Sequence, residues 1–255
     1  MKKNTTIKPV TCIRILLIPA IVFITNLPSL AQRQSKTGSP WVVNVNGGMV
    51  SFFGDLSTKD YNPVWKTQTE SDLGLGVDVS KDIIRQLSFS LSYFTGKMKG
   101  NNPALNYYFN NRFNELQLIA GINIDEIISP DNKSRISVIL NVGGGGLFYK
   151  SIRRQMTDGR IVNEDGAPDM DYRGTSRSAA FISVGPKIAF DISNQWSLIA
   201  GLAFRFTNTD LLDGYRGSTG IADRYSILTA GFAYKISTER SSHKCTEEYK
   251  KYKIL

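Results

Sequence analysis

The feature that most constrains the fold of this chain is a series of segments in which every second residue is apolar. In residues 72–80, for example, Leu73, Leu75, Val77 and Val79 alternate with small or polar residues. A period of two is the mark of a β-strand with one apolar face and one polar face. Three segments repeat the pattern clearly and four repeat it with interruptions: 86–95, 115–125 and 195–207, then 41–53, 134–149, 178–192 and 225–237. The sequence therefore predicts eight strands.

The lengths of the segments and of their connectors decide between a barrel and a two-sheet sandwich. Ordinary strands average about 5–6 residues, whereas a tilted strand that crosses a membrane needs about 9–11. The connectors are alternately long and short along the chain. The long ones are 54–71, 97–111, 150–177 and 208–224; the short ones are 81–85, 126–133 and 193–194. Such a rhythm is typical of bacterial outer-membrane barrels, which have long extracellular loops and short periplasmic turns. We therefore expect an all-β fold: an eight-stranded, antiparallel, up-and-down transmembrane β-barrel.

Aromatic residues near the strand ends support this fold, because membrane barrels carry an aromatic girdle at each interface. The expected girdle residues are Trp41, Phe53, Tyr93, Phe94, Phe148, Tyr149, Trp196, Phe206, Tyr225 and Tyr234.

The N-terminus predicts the compartment. A basic start, an apolar run over 13–24 and small residues at 29 and 31 form the pattern of a cleaved secretory signal. The alternative is a retained N-terminal anchor. We expect a signal peptide at 1–31, a periplasmic segment at 32–40, the barrel at 41–237 and a basic periplasmic tail at 238–255. Both termini would then lie in the periplasm of a Gram-negative cell, below its outer membrane.

Charge gives little support for a nucleic-acid partner. The whole chain is +9, and removal of the signal, with its four basic residues and no acid, leaves about +5. Much of this excess lies in the tail and in one loop rather than along an even stripe. The lipid bilayer is the first expected partner.

The parity of a residue, meaning its odd or even position along a strand, decides which face of the strand it occupies. Parity therefore also predicts which residues point into the barrel. Asp78, Glu115, Lys187 and Arg205 fall on the inward face of their strands, and Asp191 and Lys235 lie inward near the rims. Opposite charges in a closed interior are tolerated when they are paired and hydrogen-bonded. We expect Glu115 to pair with Arg205 or Lys187 and to plug the barrel.

Residues suited to catalysis or metal binding are scarce. The single histidine, His243, lies in the tail, and the one Cys and one His that remain after signal cleavage cannot form an ordinary zinc site. The run of four glycines at 143–146 lies inside a strand, so it indicates a close backbone approach rather than a phosphate loop. The carboxylates of 158–171 are interpreted as a solvated loop rather than an acid–base pair, and the candidate calcium segment 163–171 lacks the spacing of known calcium loops. The sequence thus predicts no cofactor, no metal and no enzyme.

The tail carries Cys245, the only cysteine that remains after signal cleavage. An unpaired cysteine in an oxidising compartment indicates either an intermolecular disulfide or a free thiol. The tail itself is interpreted either as a docking peptide or as a solvated charged segment.

Three short motifs carry a family resemblance. They are Phe52-Phe53-Gly54-Asp55-Leu56, Arg112-Phe113-Asn114-Glu115-Leu116 and Thr209-Asp210-Leu211-Leu212-Asp213. Over residues 41–237 the chain resembles the PorG-type barrels of the type IX secretion system and their OmpA-like eight-stranded relatives. The resemblance marks Gly54, Asp55, Asp210 and Asp213 as motif positions. It implies PorK- or PorN-like periplasmic secretion-ring proteins as partners.

Two functions follow as expectations. The first is a non-enzymatic outer-membrane barrel that anchors a periplasmic type IX secretion assembly. The alternative is a general OmpA-like envelope barrel whose exposed loops bind a ligand or a surface. A membrane enzyme with its site in the loops is disfavoured, because the lone histidine is in the tail.

Overall fold

The strands of this chain form one continuous sheet, seen in a computed structural model of the 255-residue protein. The structure describes residues 39–57, 66, 70–129, 134–162, 169, 173–174, 176–215 and 222–236. The predicted signal, most of the segment 32–40 and the tail with Cys245 and His243 lie outside the described residues. Their predicted roles therefore stay predictions.

Nine strands and one short helix are found among the described residues. The strands are β1 (Trp41–Phe53), β2 (Ser71–Ile84), β3 (Leu87–Asn102), β4 (Tyr107–Asn123), β5 (Ile136–Gln155), β6 (Ile161–Val162), β7 (Ser176–Asp191), β8 (Trp196–Thr207) and β9 (Arg224–Ile236). The helix is α1 (Asp125–Ile128). No helix in the described part of the chain is long and apolar enough to cross a membrane.

The sheet closes on itself through antiparallel pairs. Each of the eight long strands pairs with its neighbours along the chain, and β1 pairs with β9 over its full length, from Trp41 opposite Ile236 to Phe53 opposite Arg224. The two-residue strand β6 lies in the connection between β5 and β7 and pairs only with β5. The fold is therefore the predicted closed eight-stranded antiparallel barrel. Closure matters because a membrane barrel must leave no unpaired backbone edge in lipid.

The connections define two ends of the barrel. At the turn end, β1 begins, β9 ends, and the strands are joined by 85–86, 124–135 and 192–195. At the loop end, they are joined by 54–70, 103–106, 156–175 and 208–223. Three of these four loop-end connections are long, as the sequence predicted.

The prediction of a long connector at 97–111 is wrong. Strands β3 and β4 continue through this segment, with Lys97 opposite Arg112 and Asn102 opposite Tyr107, so only 103–106 form the turn. The segment looks like a loop because it contains Asn, Lys and Gly. Those residues are compatible with a strand here because the hairpin extends beyond the apolar part of the wall.

The glycine run at 143–146 lies inside β5, as expected, and permits a close backbone approach. A Cβ at Gly145 would collide with the carbonyl oxygen of Leu116 on β4. Gly145 thus allows β4 and β5 to pack closely where the narrow barrel curves.

Candidate functional site

The outer wall of the barrel is an apolar belt bordered by charged residues. Large apolar side chains are exposed along every long strand; Leu73, Leu118 and Ile182 are 70%, 68% and 64% exposed. On β2, β3 and β4, the outward positions between Lys81 at the turn end and the Lys97–Arg112 pair carry no charged side chain. A wall of this kind is unsuited to water and matches the lipid-facing band of membrane barrels.

Aromatic side chains lie at both borders of the belt. At the turn end, the Trp196 and Tyr234 rings are 4.9 Å apart, and the Lys81 ammonium lies 5.0 Å from the centre of the Trp41 ring. Toward the loop end, the exposed aromatic side chains are Tyr93, Phe148 and Phe206.

Three of the ten expected girdle residues do not belong to a girdle. Phe94, Tyr149 and Tyr225 are buried inside the barrel. The prediction failed because proximity to a strand end does not determine which face of the strand a side chain occupies.

The centre of the barrel holds a buried three-residue cluster, which we call the central cluster: Glu115, Arg205 and Tyr225. Arg205 Nη2 donates a hydrogen bond to Glu115 Oε1 at 2.7 Å, and the Tyr225 hydroxyl donates one to Glu115 Oε2 at 2.7 Å. Glu115 is 1% exposed and Arg205 is 5% exposed. Both carboxylate oxygens therefore have a donor, which is the condition for tolerating this charge in a closed interior.

The structure places the other two predicted interior charges on the turn side of this cluster. Asp78 Oδ2 accepts a hydrogen bond from Asn46 Nδ2 at 3.2 Å. Lys187 borders two small internal cavities, of about 80 and 160 Å³, and is not paired with Glu115. Of the two partners considered for Glu115, the structure contains Arg205.

The two rim charges meet each other at the turn end. Lys235 Nζ donates to both oxygens of Asp191 at 2.8 Å, and the Ser197 hydroxyl donates to Asp191 Oδ1 at 2.5 Å. This ion pair is half-exposed, in contrast to the buried pair at the centre.

On the loop side of the central cluster, apolar side chains fill most of the interior, and the buried Arg153 guanidinium lies 4.8 Å from the centre of the Tyr107 ring and 5.0 Å from that of Tyr215. The Phe113 and Tyr225 rings are 5.6 Å apart, the Phe181 and Tyr225 rings 6.4 Å, and the Phe94 and Phe113 rings 6.1 Å. These rings belong to one buried cluster that also includes Val50, Phe52, Leu56, Met98, Phe109, Leu147 and Leu212. We call it the interior apolar layer. It occupies the space that an aqueous channel would need.

The loop end contains a second polar cluster, formed by the motif positions of two distant segments. The backbone N–H of Leu56 donates to Asp213 Oδ2 at 3.2 Å, although the two residues are 157 positions apart. The N–H of Leu212 donates to Asp223 Oδ2 at 2.8 Å, and the N–H of Tyr215 donates to Asp213 Oδ1 at 2.8 Å. We call this arrangement the aspartate clasp. It ties the connection after β1 to the connection between β8 and β9.

The remaining motif positions surround the clasp. A Cβ at Gly54 would collide with Asp223 Oδ1 and with the ring of Phe52, so only glycine fits there without a shift. The Asp55 carbonyl accepts a hydrogen bond from Asn102 Nδ2 at 2.9 Å. Asp210 lies close enough to influence the ionisation of both clasp carboxyls.

Burial governs the ionisation of the clasp. It raises the pKa of Asp213 to about 7, with the neighbouring charges of Asp55 and Asp210 acting in the same direction. Burial likewise raises the pKa of Asp223 to about 9, and the Asp213 charge adds to the shift. The hydrogen bonds from backbone N–H groups oppose these shifts but do not cancel them. The clasp is therefore most stable when at least one of these carboxyls is protonated.

The inward position of Tyr225 and the place of Asp223 in the clasp were not predicted from the sequence. Tyr225 was assigned to a girdle, yet it shares the parity of Lys235 on the same strand, and that parity points inward. Asp223 directly precedes β9 and carries no local signal, because its partners come from the backbone of Leu212 and from the surroundings of Gly54. Among the described residues, no group of three or more His, Cys, Asp or Glu side chains is arranged to hold a metal ion.

Comparison with known proteins gives structural likenesses only. No protein-family model matches the chain, and no curated protein sequence matches it. The fold is similar to Neisserial surface protein A (TM-score 0.46, 12% identity, 77% of this chain and 97% of that one). It is also similar to Ail, the attachment invasion locus protein of Yersinia pestis (0.44, 10%, 78% and 99%). A third likeness is to the outer membrane protein OprG of Pseudomonas aeruginosa (0.41, 11%, 80% and 99%). Because these scores lie under 0.5, the fold assignment rests on the strand pairings of this chain.

Proposed function

We propose that this protein is a general envelope barrel of the Gram-negative outer membrane, with a closed interior and a structured loop end. The observation that carries the proposal is the closed sheet with an apolar belt outside and the central cluster inside. A closed barrel is one of only two backbone architectures that satisfy all main-chain hydrogen bonds in lipid. The predicted signal at 1–31 supplies the route to the envelope.

The interior supports a structural role rather than transport through the lumen. The central cluster joins β4, β8 and β9 across the barrel, and the interior apolar layer fills the loop half. Eight strands enclose only enough space for side chains to fill. The cavities of about 80 and 160 Å³ lie on the turn side of that layer.

The role that we propose for the protein is also non-enzymatic. The described strands contain no histidine or cysteine, and the clasp carboxyls are held by backbone N–H groups. Their hydrogen bonds hold the loop end together, which leaves ligand or surface contact to the outer parts of the loops.

Reconstitution of the full chain tests both parts of the proposal. We expect the protein to fractionate with the outer membrane, to migrate differently on gels with and without heating, and to give no large steady conductance in planar bilayers. Recovery as a soluble periplasmic protein would refute the membrane assignment. A large stable conductance would instead refute the closed interior while leaving the membrane assignment intact.

The type IX anchoring role is a second proposal, and it rests on the resemblance. The observation in its favour is that two of the three motifs meet in the clasp, where the N–H of Leu56 donates a hydrogen bond to Asp213 Oδ2. The predicted anchor is the tail, 238–255, outside the described residues. Affinity capture with the full chain and with a chain ending at residue 237 should recover secretion-ring proteins only with the tail present. Equal recovery, or none with either chain, would remove this role.

A further inference from the structure

A groove of about 1140 Å³ crosses the outer wall of the barrel, and we call it the wall groove. It follows one row of directly paired, outward-facing residues: Ala200, Ala230, Gly47, Leu75, Thr95 and Asn114. Neighbouring strands are about 4.8 Å apart, so a row across six strands is about 24 Å long. Because barrel strands are tilted, a row perpendicular to them runs obliquely through the belt.

The shape of the groove follows from the side chains on either side of its row. At Gly47 and Ala230 the row has little side chain to fill the wall. On the loop side, the next outward row holds Met49 opposite Leu228, and on the turn side it holds Val45 opposite Phe232. The larger side chains form two ridges with an apolar depression between them.

One end of the groove is strongly basic. Lys97 and Arg112 line it, and they form a directly opposed pair on β3 and β4. Lys150 lies opposite Arg112 on β5, so three exposed basic side chains form one row. We call them the basic row. Within the described part of the chain, no carboxylate forms a salt bridge with any of the three. Like charges placed directly opposite each other are unfavourable in a sheet unless an anion balances them.

We propose that the wall groove and the basic row together bind an anionic membrane lipid whose head group ends in a phosphate monoester. An acyl chain lies along the apolar groove, and the phosphate lies on Lys97, Arg112 and Lys150. Arginine offers a planar pair of donors to phosphate oxygens, and two flanking ammonium groups add charge. The inference rests on the proposed membrane location and goes beyond it, because it assigns a particular site and a particular lipid chemistry.

A second copy of the chain fits this surface less well. The outward positions of the described strands carry no acidic side chain, so a second barrel would bring no carboxylate from its own wall to the basic row. A free phosphate ion fits less well too, because it would leave the apolar groove uncovered.

Native mass spectrometry of the full-length barrel, released from detergent micelles with added lipid, tests the proposal. The probes are phosphatidic acid, phosphatidylcholine with the same acyl chains, and inorganic phosphate. We expect the protein to prefer phosphatidic acid. Each basic group near a membrane surface contributes about fivefold to anionic-lipid affinity, so the triple variant Lys97→Gln, Arg112→Gln, Lys150→Gln should lose roughly a hundredfold.

Two matched controls separate this site from general effects. The triple variant Lys81→Gln, Arg85→Gln, Arg135→Gln removes the same charge at the turn end and should leave the affinity within about twofold. Gly47→Leu fills the groove without changing charge and should weaken binding. A Cβ at Gly47 meets Leu75 Cδ2 at 3.7 Å and the Gly74 carbonyl oxygen at 3.9 Å, both ordinary contacts, so the fold should tolerate it. Gly146→Leu, another glycine with open space, should have no effect on binding.

Several outcomes would overturn the proposal. These are equal affinity for both lipids, equal loss in the two triple variants, or unchanged binding by Gly47→Leu. Binding of inorganic phosphate as tight as that of phosphatidic acid would show that the groove is not used. A dimer that Gly47→Leu abolishes would assign the groove to a second copy. Recovery of the protein outside the outer-membrane fraction would refute the proposed function itself, whereas recovery in that fraction without a lipid preference in mass spectrometry refutes only this inference.

Discussion

The central cluster holds a charged pair in a closed interior, so we expect the loss of one partner to lower the stability of the barrel strongly. Replacing Glu115 with Ala leaves the Arg205 guanidinium buried and removes the acceptor of the Tyr225 hydroxyl. At an effective dielectric constant of 20, two unit charges about 4 Å apart attract by about 4 kcal/mol. Breaking a buried pair by removing one partner typically costs about 3–5 kcal/mol. We therefore expect Glu115→Ala to lower the free energy of unfolding by about 3–5 kcal/mol.

The half-exposed pair at the turn end is a matched control. Lys235 and Asp191 are 2.8 Å apart, and Arg205 and Glu115 are 2.7 Å apart, so the two pairs differ mainly in burial. Solvent-exposed pairs contribute about 0–1 kcal/mol, so Asp191→Ala should cost less than about 1–2 kcal/mol, including its bond from Ser197.

Urea unfolding of the barrel in phospholipid vesicles, followed by tryptophan fluorescence, measures both costs. A further variant completes the test: Glu115→Leu, Arg205→Met and Tyr225→Phe together replace the whole cluster with apolar groups. This variant should recover most of the stability lost in Glu115→Ala, because no charge remains unpaired. If Glu115→Ala and Asp191→Ala cost the same, burial does not govern the central pair and the reasoning fails.

The remaining predictions concern the belt and the clasp. Leu118→Arg, near the middle of the belt on β4, should cost about 2–4 kcal/mol of folding free energy in vesicles. Leu198→Arg, two residues from the start of β8, should cost clearly less, and equal costs would contradict the position of the belt. The clasp carboxyls have pKa values raised above those of the unfolded chain, so their stabilising effect is complete below about pH 4 and is lost as pH rises through about 7 and about 9. Limited proteolysis should therefore cut the loops faster at pH 9 than at pH 5, and Asp223→Asn should flatten that dependence; faster cutting at pH 5 would reverse the argument. Gly54→Ala should loosen the clasp and cost about 1–3 kcal/mol of folding free energy by overpacking. In the same proteolysis assay Gly146→Ala should match the wild type, because a Cβ there meets nothing closer than 4.0 Å.

The closed barrel was predictable because two independent sequence signals agree. Period-two alternation identifies the strands, and the connector lengths indicate the up-and-down order, although the loop-end connection 103–106 is shorter than the turn-end connection 124–135. Parity then placed Glu115 and Arg205 on the inward face without any knowledge of the pairing. Both signals depend on contrast between the two faces of a strand, and that contrast is greatest in the turn half, where Ser and Asn face inward.

The prediction lost accuracy where this contrast disappears. In the loop half, the interior apolar layer makes both faces apolar, so Phe94, Tyr149 and Tyr225 were assigned to the wrong face. Beyond the belt both faces are polar, so the β3–β4 hairpin was predicted as a loop. The clasp could not be predicted for a different reason. Leu56 and Asp213 are 157 residues apart in the sequence, and no local pattern encodes their contact.

The arrangement of the interior bears on where a partner can act. The cavities and the predicted interior charges Asp78 and Lys187 lie on the turn side of the central cluster, and the apolar rings, Arg153 and the clasp lie on its loop side. The interior apolar layer lies in the loop half of this barrel, and the strands there are apolar on both faces. Such strands gain stability from the interior apolar layer as well as from lipid, so the loop end has a rigid base. The clasp then ties two loop-end connections onto that base. A surface held in this way can present a constant contact face to a ligand, which places the expected function on the loops and the wall rather than in the lumen.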